Sequence, residues 1–289
     1  MGRNSHYWAY KEVAAQEAKD KTKSREVRFH NEIDTCVGMS KLYGGPDFRP
    51  IDVTKYNTLT TPPVYFFHQT TTETIRTIRS TVACEVANVK ICALNFASYK
   101  NPGGSFLDGS LAQEESLCHE SILYNVISKY EDTYYEYNRR HLKRALYEDR
   151  AIYSPNVLFF PESHPTPCDV LTCAAPNAGA YLRYNKDASL VDDVVRSRIE
   201  FLMDVADTNG VEIMIIGAYG CGVFRNKPEQ IAREFARVMK RGFANIKDVI
   251  VSIPDDKDGS DKTLQIFKEN IMSIYPDRKD DEDGRSKEI

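Results

Sequence analysis

Apolar residues along this chain collect in short runs, and these alternate with longer stretches where they recur every three or four positions. The first run, Val64-Tyr-Phe-Phe-His68, is aromatic and β-branched and predicts a strand. Thr70 follows, with Glu73 three positions later, a capping-box pattern opening a helix that carries Ile75, Ile78 and Val82. Residues 89–96 predict a second strand. Leu123, Ile127 and Tyr130, spaced i, i+4, i+7, predict one helix from Gln113 to about Tyr130. Further strands are expected at 156–160, 169–173, 211–216 and 248–253, the last two being dense Ile/Val/Met runs suited to a sheet interior. Helices are expected at 190–208, 228–241 and 262–274, with Pro228 well placed in a first turn. Residues 9–33, polar but containing Ala14, Ala15 and Ala18, read as a solvated N-terminal helix. Residues 130–153, rich in Tyr, Arg and Glu, show no usable period.

Strand and helix alternate throughout, so the expected class is α/β, three-layered, with a mixed, largely parallel sheet between helices. We expect a helical extension over 1–25, one domain over 26–275, and a disordered charged tail over 276–289. A formal charge of −4 argues against broad binding to DNA or RNA. The seven cysteines form no CxxC pair and are odd in number, which argues against a disulfide framework or a structural zinc site. Cys92 and Cys173 lie in apolar runs and read as core residues. No signal peptide or bilayer-length apolar run occurs, and Gly2 with Ser5 gives only part of a myristoylation pattern, so a cytoplasmic monomer is expected, with no membrane partner. The histidines lack metal spacing, so neither metal nor cofactor is expected. His119, four residues after Glu115, is the one to watch. No GxSxG nucleophile elbow is present.

Candidate chemistry concentrates in residues 101–117. Gly103 and Gly104 form a turn whose backbone can approach a phosphate closely. Gln113-Glu114-Glu115 then opens a helix with two carboxylates, which acid/base chemistry or simple compensation of the helix dipole would both explain. Adjacent helical positions diverge by about 100°, so the two acids should take different tasks. Burial would raise a Glu pKa and the dipole would lower it. A second glycine segment, Gly217-Ala-Tyr-Gly220-Cys221-Gly222-Val223-Phe224, leaves the 211–216 strand. It is either a tight turn or a diphosphate loop at a strand end, and a second glycine turn after a strand favours the latter. Phe224 either stacks on a base or plugs the core. Asn177, in Ala175-Pro-Asn177, either rims the same cleft or closes a turn.

Taken together, Asn95-Phe-Ala-Ser, Asn101-Pro-Gly-Gly, Gln113-Glu-Glu and the later Gly217–Phe224 and Ala175-Pro-Asn segments resemble poly(ADP-ribose) glycohydrolases of the bacterial or microbial type. The resemblance runs over residues 25–275. It implies a macro domain fold with an ADP-ribose cleft at the strand ends. By this resemblance Glu115 is the catalytic acid and Glu114 holds the ribose hydroxyls of the scissile unit. Gly103, Gly104 and Ser105 line the diphosphate and distal ribose, with Asn101 and Gln113 beside them. Gly217, Gly220, Cys221, Gly222 and Val223 form the opposite diphosphate loop, Phe224 sits against the nucleoside, and Asn177 lies at the rim. The implied reaction is hydrolysis of the ribose–ribose O-glycosidic bond, with ADP-ribose polymer and ADP-ribosylated proteins as partners. One position departs from the family pattern, since Ser105 stands where the third glycine is expected. A left-handed backbone there would strain a serine and favour an ADP-ribose-binding module without turnover. A third reading is another sugar-nucleotide or NAD-consuming hydrolase on the same scaffold.

Overall fold

The computed structural model describes residues 2–44, 59–82, 89–160 and 165–275, without the side chains of 2–9 and Val82. Its strands are β1 (Lys41–Gly44), β2 (Val64–Phe67), β3 (Ile91–Phe96), β4 (Arg150–Phe159), β5 (Thr166–Cys173), β6 (Ile213–Ile216) and β7 (Asp248–Ser252). Its helices are α1 (Gly2–Arg28), α2 (His30–Met39), α3 (Thr71–Val82), α4 (Gln113–Glu120), α5 (Leu123–Ile127) and α6 (Glu136–Arg140). They continue with α7 (Ala178–Tyr181), α8 (Ser189–Thr208), α9 (Pro228–Lys240) and α10 (Lys262–Ile274). The expected 276–289 tail lies outside the described residues. None of the described helices is long and apolar enough to cross a membrane.

The chain divides into two compact units, Met1–Phe48 with Cys92–Ala175, and Arg49–Ile91 with Pro176–Ile289. In the first, β1 and β5 flank β4 in antiparallel pairing, and β5 pairs parallel with β3. In the second, β7 pairs parallel with both β6 and β2. Pairing is therefore mixed and largely parallel, as expected. The capping box also forms as read. Thr70 donates its N–H and hydroxyl to Glu73, whose own N–H donates back to the Thr70 hydroxyl. Pro228 opens α9.

Three expectations in the first unit are corrected, each by a long-range interaction. The N-terminal helix is not merely solvated. Ala14 and Ala18 are buried, and the helix breaks at Phe29 (φ −120°), whose ring stacks on Phe160 at 4.8 Å. The continuous helix expected from Gln113 is interrupted. Ser121 is extended and bridges Phe159, while Ile122 N–H donates to Leu158 O and Phe160 N–H to Glu120 O. The strand expected at 156 begins at Arg150, because Pro155 and left-handed Asn156 form a bulge rather than a start. Asp169 makes that bulge tolerable by accepting the Asn156 N–H at 2.8 Å and the Tyr153 hydroxyl.

Arg25 of α1 fixes the far end of α4. Its guanidinium donates to Cys118 O (2.7 Å), His119 O (2.6 Å) and Ser121 O (2.7 Å), satisfying carbonyls that a helix C-terminus leaves unpaired. Burial lowers the Arg25 pKa to about 10, so the group is charged throughout the physiological range. Replacing Arg25 by Ala should cost about 2 kcal/mol of unfolding free energy, read as a lower urea midpoint. Arg25→Lys, lacking the planar fork, should recover less than half of it.

Candidate active site

The site in the first unit begins where β3 ends. Gln113 clamps the start of α4 onto that strand, donating its amide to Leu94 O and accepting Phe96 N–H, both at 2.9 Å. Its amide thus serves the scaffold that aims the two following acids. Between strand and helix, the Ser98 hydroxyl accepts the N–H groups of Lys100 and Asn101 at 3.2 Å. Asn101 is exposed, and its carbonyl takes the Gly104 N–H at 3.0 Å. Gly103 and Gly104 are both left-handed, with φ of 65° and 62°. A Cβ on Gly104 would lie 2.5 Å from Glu115 Oε1 and 3.0 Å from Glu114 Oε2. One on Gly103 would meet Tyr124 at 2.9 Å and the Cys118 sulfur at 3.1 Å. These two glycines are required by both conformation and space.

Ser105 is not left-handed. Its φ is −108°, so the serine carries no strain of the expected kind. What the position supplies is its backbone N–H, which donates to Glu115 Oε1 at 2.9 Å. The doubt that Ser105 cast on turnover therefore loses its physical basis.

Although adjacent in sequence, both acids turn toward Gly104, and both are buried. Their environments differ. Glu114 Oε2 accepts the Ser98 N–H at 2.7 Å and Oε1 the Asn95 amide at 3.3 Å. Burial nevertheless dominates over these donors and pushes Glu114 from 4.5 up to about 8, with the Glu115 charge adding to the rise. A protonated Glu114 needs an acceptor. Asn95 Oδ1, buried and unpartnered among the described residues, provides one once the amide is rotated by half a turn. Glu115 has one oxygen on Ser105 and no protein partner on the other among the described residues. Cys118 is pushed well above the ordinary thiol range by burial and then by both acids, so it packs as an inert thiol. His119 turns its ring edge-on to Phe106 at 4.7 Å, near Lys21 and Glu17 of α1, and burial lowers its pKa. It reads as a packing residue.

The second unit contains the other glycine segment, in the turn between β6 and α9. Gly217 is buried, Gly220 is left-handed (φ 71°), and the space beside Gly222 is open. Burial pushes the Cys221 thiol up to about 12. Val223 is 86% exposed, while Phe224 is half-buried with its carbonyl accepting the Gly179 N–H at 2.9 Å. Asn177 caps α7, its side chain accepting Ala180 N–H at 2.9 Å, so at least its oxygen closes a turn. The residue that ties this segment together is Asn226, which the sequence reading missed. It is buried and donates its amide to Pro176 O and Gly220 O. Asn95 opens the Asn95-Phe-Ala-Ser motif, and nothing in its local spacing marks it as the partner of Glu114.

The family model described as the microbial-type PARG catalytic domain matches residues 10–162, more than half of the chain. The chain belongs to this family. The matched span includes most of α1 and all the site residues of the first unit. Among solved structures, poly(ADP-ribose) glycohydrolase from Thermomonospora curvata is 26% identical with a TM-score of 0.76, covering 90% of this chain and 99% of that one. The same enzyme bound to the inhibitor ADP-HPD gives 27% and 0.74, covering 89% and 99%. The Deinococcus radiodurans enzyme in complex with ADP-ribose gives 29% and 0.70, covering 84% and 98%. No curated protein matches the chain. The fold is thus macro-domain-like α/β, and the chain is of the glycohydrolase class.

The Glu114 shift carries a testable sign. Its folded pKa of about 8 exceeds the ordinary 4.5, so between those values the folded chain holds a proton that the unfolded chain has released. Stability is then lost as pH rises through that window. Glu114→Gln removes the titration. The wild-type unfolding free energy minus that of the variant should fall from pH 4.5 to 8 and level off above. A flat difference would mean that Glu114 is ionised in the folded chain at neutral pH.

Proposed function

We propose that the chain hydrolyses ribose–ribose O-glycosidic bonds of ADP-ribose polymer, releasing ADP-ribose from ADP-ribosylated proteins, with Glu115 as general acid and base. The observation that carries this reading is the unequal treatment of the two oxygens of Glu115. One is fixed by the Ser105 N–H, and the other has no protein partner among the described residues. Such a carboxyl is oriented yet free to exchange a proton with a ligand. In its protonated form the Glu115 carboxyl gives its proton to the departing ribose oxygen as the glycosidic bond breaks. The resulting sugar has oxocarbenium character. Water then adds to it, and its proton returns to the carboxylate. A single acid performs both steps, unlike the paired carboxylates of most glycosidases.

Glu114 takes the ribose hydroxyls of the scissile unit, its buried carboxyl held in place by the Ser98 N–H and the Asn95 amide. Gly103, Gly104 and Asn101 face the diphosphate and ribose, and Gln113 positions the acids from behind. In the second unit, the backbone of the Gly217–Gly222 segment is suited to a diphosphate and Phe224 to packing on a nucleoside. The substrate's own diphosphate then favours positive charge developing on the sugar.

Two outcomes test this assignment. Glu115→Gln should lower ADP-ribose release from automodified polymer by about 100-fold or more while ADP-ribose binding persists, and unchanged release would sink the role of Glu115. Ser105→Gly should leave kcat and KM unchanged, because the contribution of that position is a backbone N–H. A large loss would show that the hydroxyl contacts the substrate.

A further inference from the structure

The stretch without usable period in the sequence, residues 130–153, contains a cluster of left-handed backbone. Lys143, Arg144, Ala145 and Tyr147 have φ of 42°, 58°, 71° and 57°, four of the six non-glycine residues of that kind among the described residues. L-residues visit this region singly rather than in runs, and such strain persists where surrounding packing enforces it, as at ligand clamps. Here the anchors are Leu146 and Tyr147, both buried, with the Tyr147 ring stacked on Tyr99 at 4.4 Å. The anchored turn holds His141, Leu142, Lys143 and Arg144 out in solvent.

These exposed groups form a platform. The His141 ring stacks on Tyr137 at 3.9 Å and 15°, and the Arg150 guanidinium lies 3.8 Å from the same ring centroid. Two groups that close to one ring must occupy opposite faces, so Tyr137 is sandwiched and the outer face of His141 is left for a ligand. The Tyr137 hydroxyl is fixed by donating to Glu148 at 2.6 Å. Around the pile, Arg139 and Arg140 pair with Glu136, and Lys143 pairs with Glu148. Arg144 has no ion pair among the described residues. The platform adjoins the catalytic loop, because Arg139 donates to Lys100 O at 2.5 Å. Lys100 in turn donates to the hydroxyl of Ser98, whose N–H holds Glu114.

An aromatic face beside one guanidinium unpaired among the described residues, that of Arg144, and the exposed ammonium of Lys143 is the chemistry that takes a purine and its phosphates. We propose that residues 139–147 form an accessory subsite for a purine nucleoside diphosphate, the base stacking on His141 and the phosphates meeting Arg144 and Lys143. This rests on the glycohydrolase reading, on which the nucleotide is a further ADP-ribose unit of the same polymer, outside the unit held at Glu114. The chain's overall negative charge disfavours general nucleic-acid binding, so local placement beside the catalytic loop selects the polymer.

The test uses the full chain with His141→Ala, Arg144→Glu and both together. KM and kcat are measured on automodified polymer, and the Kd of free ADP-ribose on each protein. Polymer binding is measured with the same changes added to Glu115→Gln. The double variant should raise the polymer KM and Kd by about tenfold or more, the scale of one lost stack and one lost phosphate contact, with kcat and ADP-ribose affinity unchanged. His141→Phe, which keeps a stacking face, should keep polymer affinity and so separates recognition from folding. An unchanged polymer KM and Kd overturns the proposal. So does an equal loss of ADP-ribose affinity, or an equal loss of binding to a polyadenylate strand, which would assign the loop to nucleic acid. If the wild-type chain releases no ADP-ribose, the glycohydrolase reading fails, and the binding arm still decides the subsite.

Discussion

The left-handed Gly103-Gly104 turn and the first turn of α4 approach so closely that no side chain fits between them. A Cβ at Gly104 would meet both acids, and one at Gly103 would meet Tyr124 and Cys118. This exclusion brings the Ser105 N–H onto Glu115 and leaves both carboxylates facing the same turn. The other anchors of the first unit serve it. Gln113 ties the helix start to β3, Arg25 ties the helix end to α1, and Ser121 stops the helix by bridging the end of β4.

The same packing makes two adjacent glutamates unequal. A helix N-terminus and hydrogen-bond donors favour the charged form of Glu114, yet removal from water outweighs them and raises its pKa. Glu115 keeps an oxygen free of protein partners among the described residues. One acid is therefore enclosed by donors and the other keeps an open oxygen, a difference that two like residues at neighbouring positions acquire only from surroundings.

Strain is distributed with similar economy. Where a small residue is needed at left-handed φ, the chain places glycine at 103, 104 and 220. Ser105 escapes the requirement because the turn has already returned to negative φ. Among the described residues, left-handed non-glycine positions are confined to a bulge at Asn156, to Arg225 and to the basic turn at 143–147. In the second unit a single buried side chain, Asn226, joins Gly220 to Pro176 and so shapes the glycine segment from within.

The sequence by itself determined the α/β alternation, the capping box at Thr70, the strands at the dense apolar runs, and the glycine turn with its two acids. These are features written by neighbours along the chain, through periodicity, turn chemistry and helix capping. Tertiary structure alone decided the break at Ser121, the bulge at Pro155-Asn156, the short edge strand β1, and the left-handed turn at 143–147. It also decided that burial raises the Glu114 pKa, that Ser105 is unstrained, and that Asn95 and Asn226 are the supporting amides. Each of these depends on a partner distant in sequence or on the removal of water from a charge. Neither leaves a local pattern for the sequence to display.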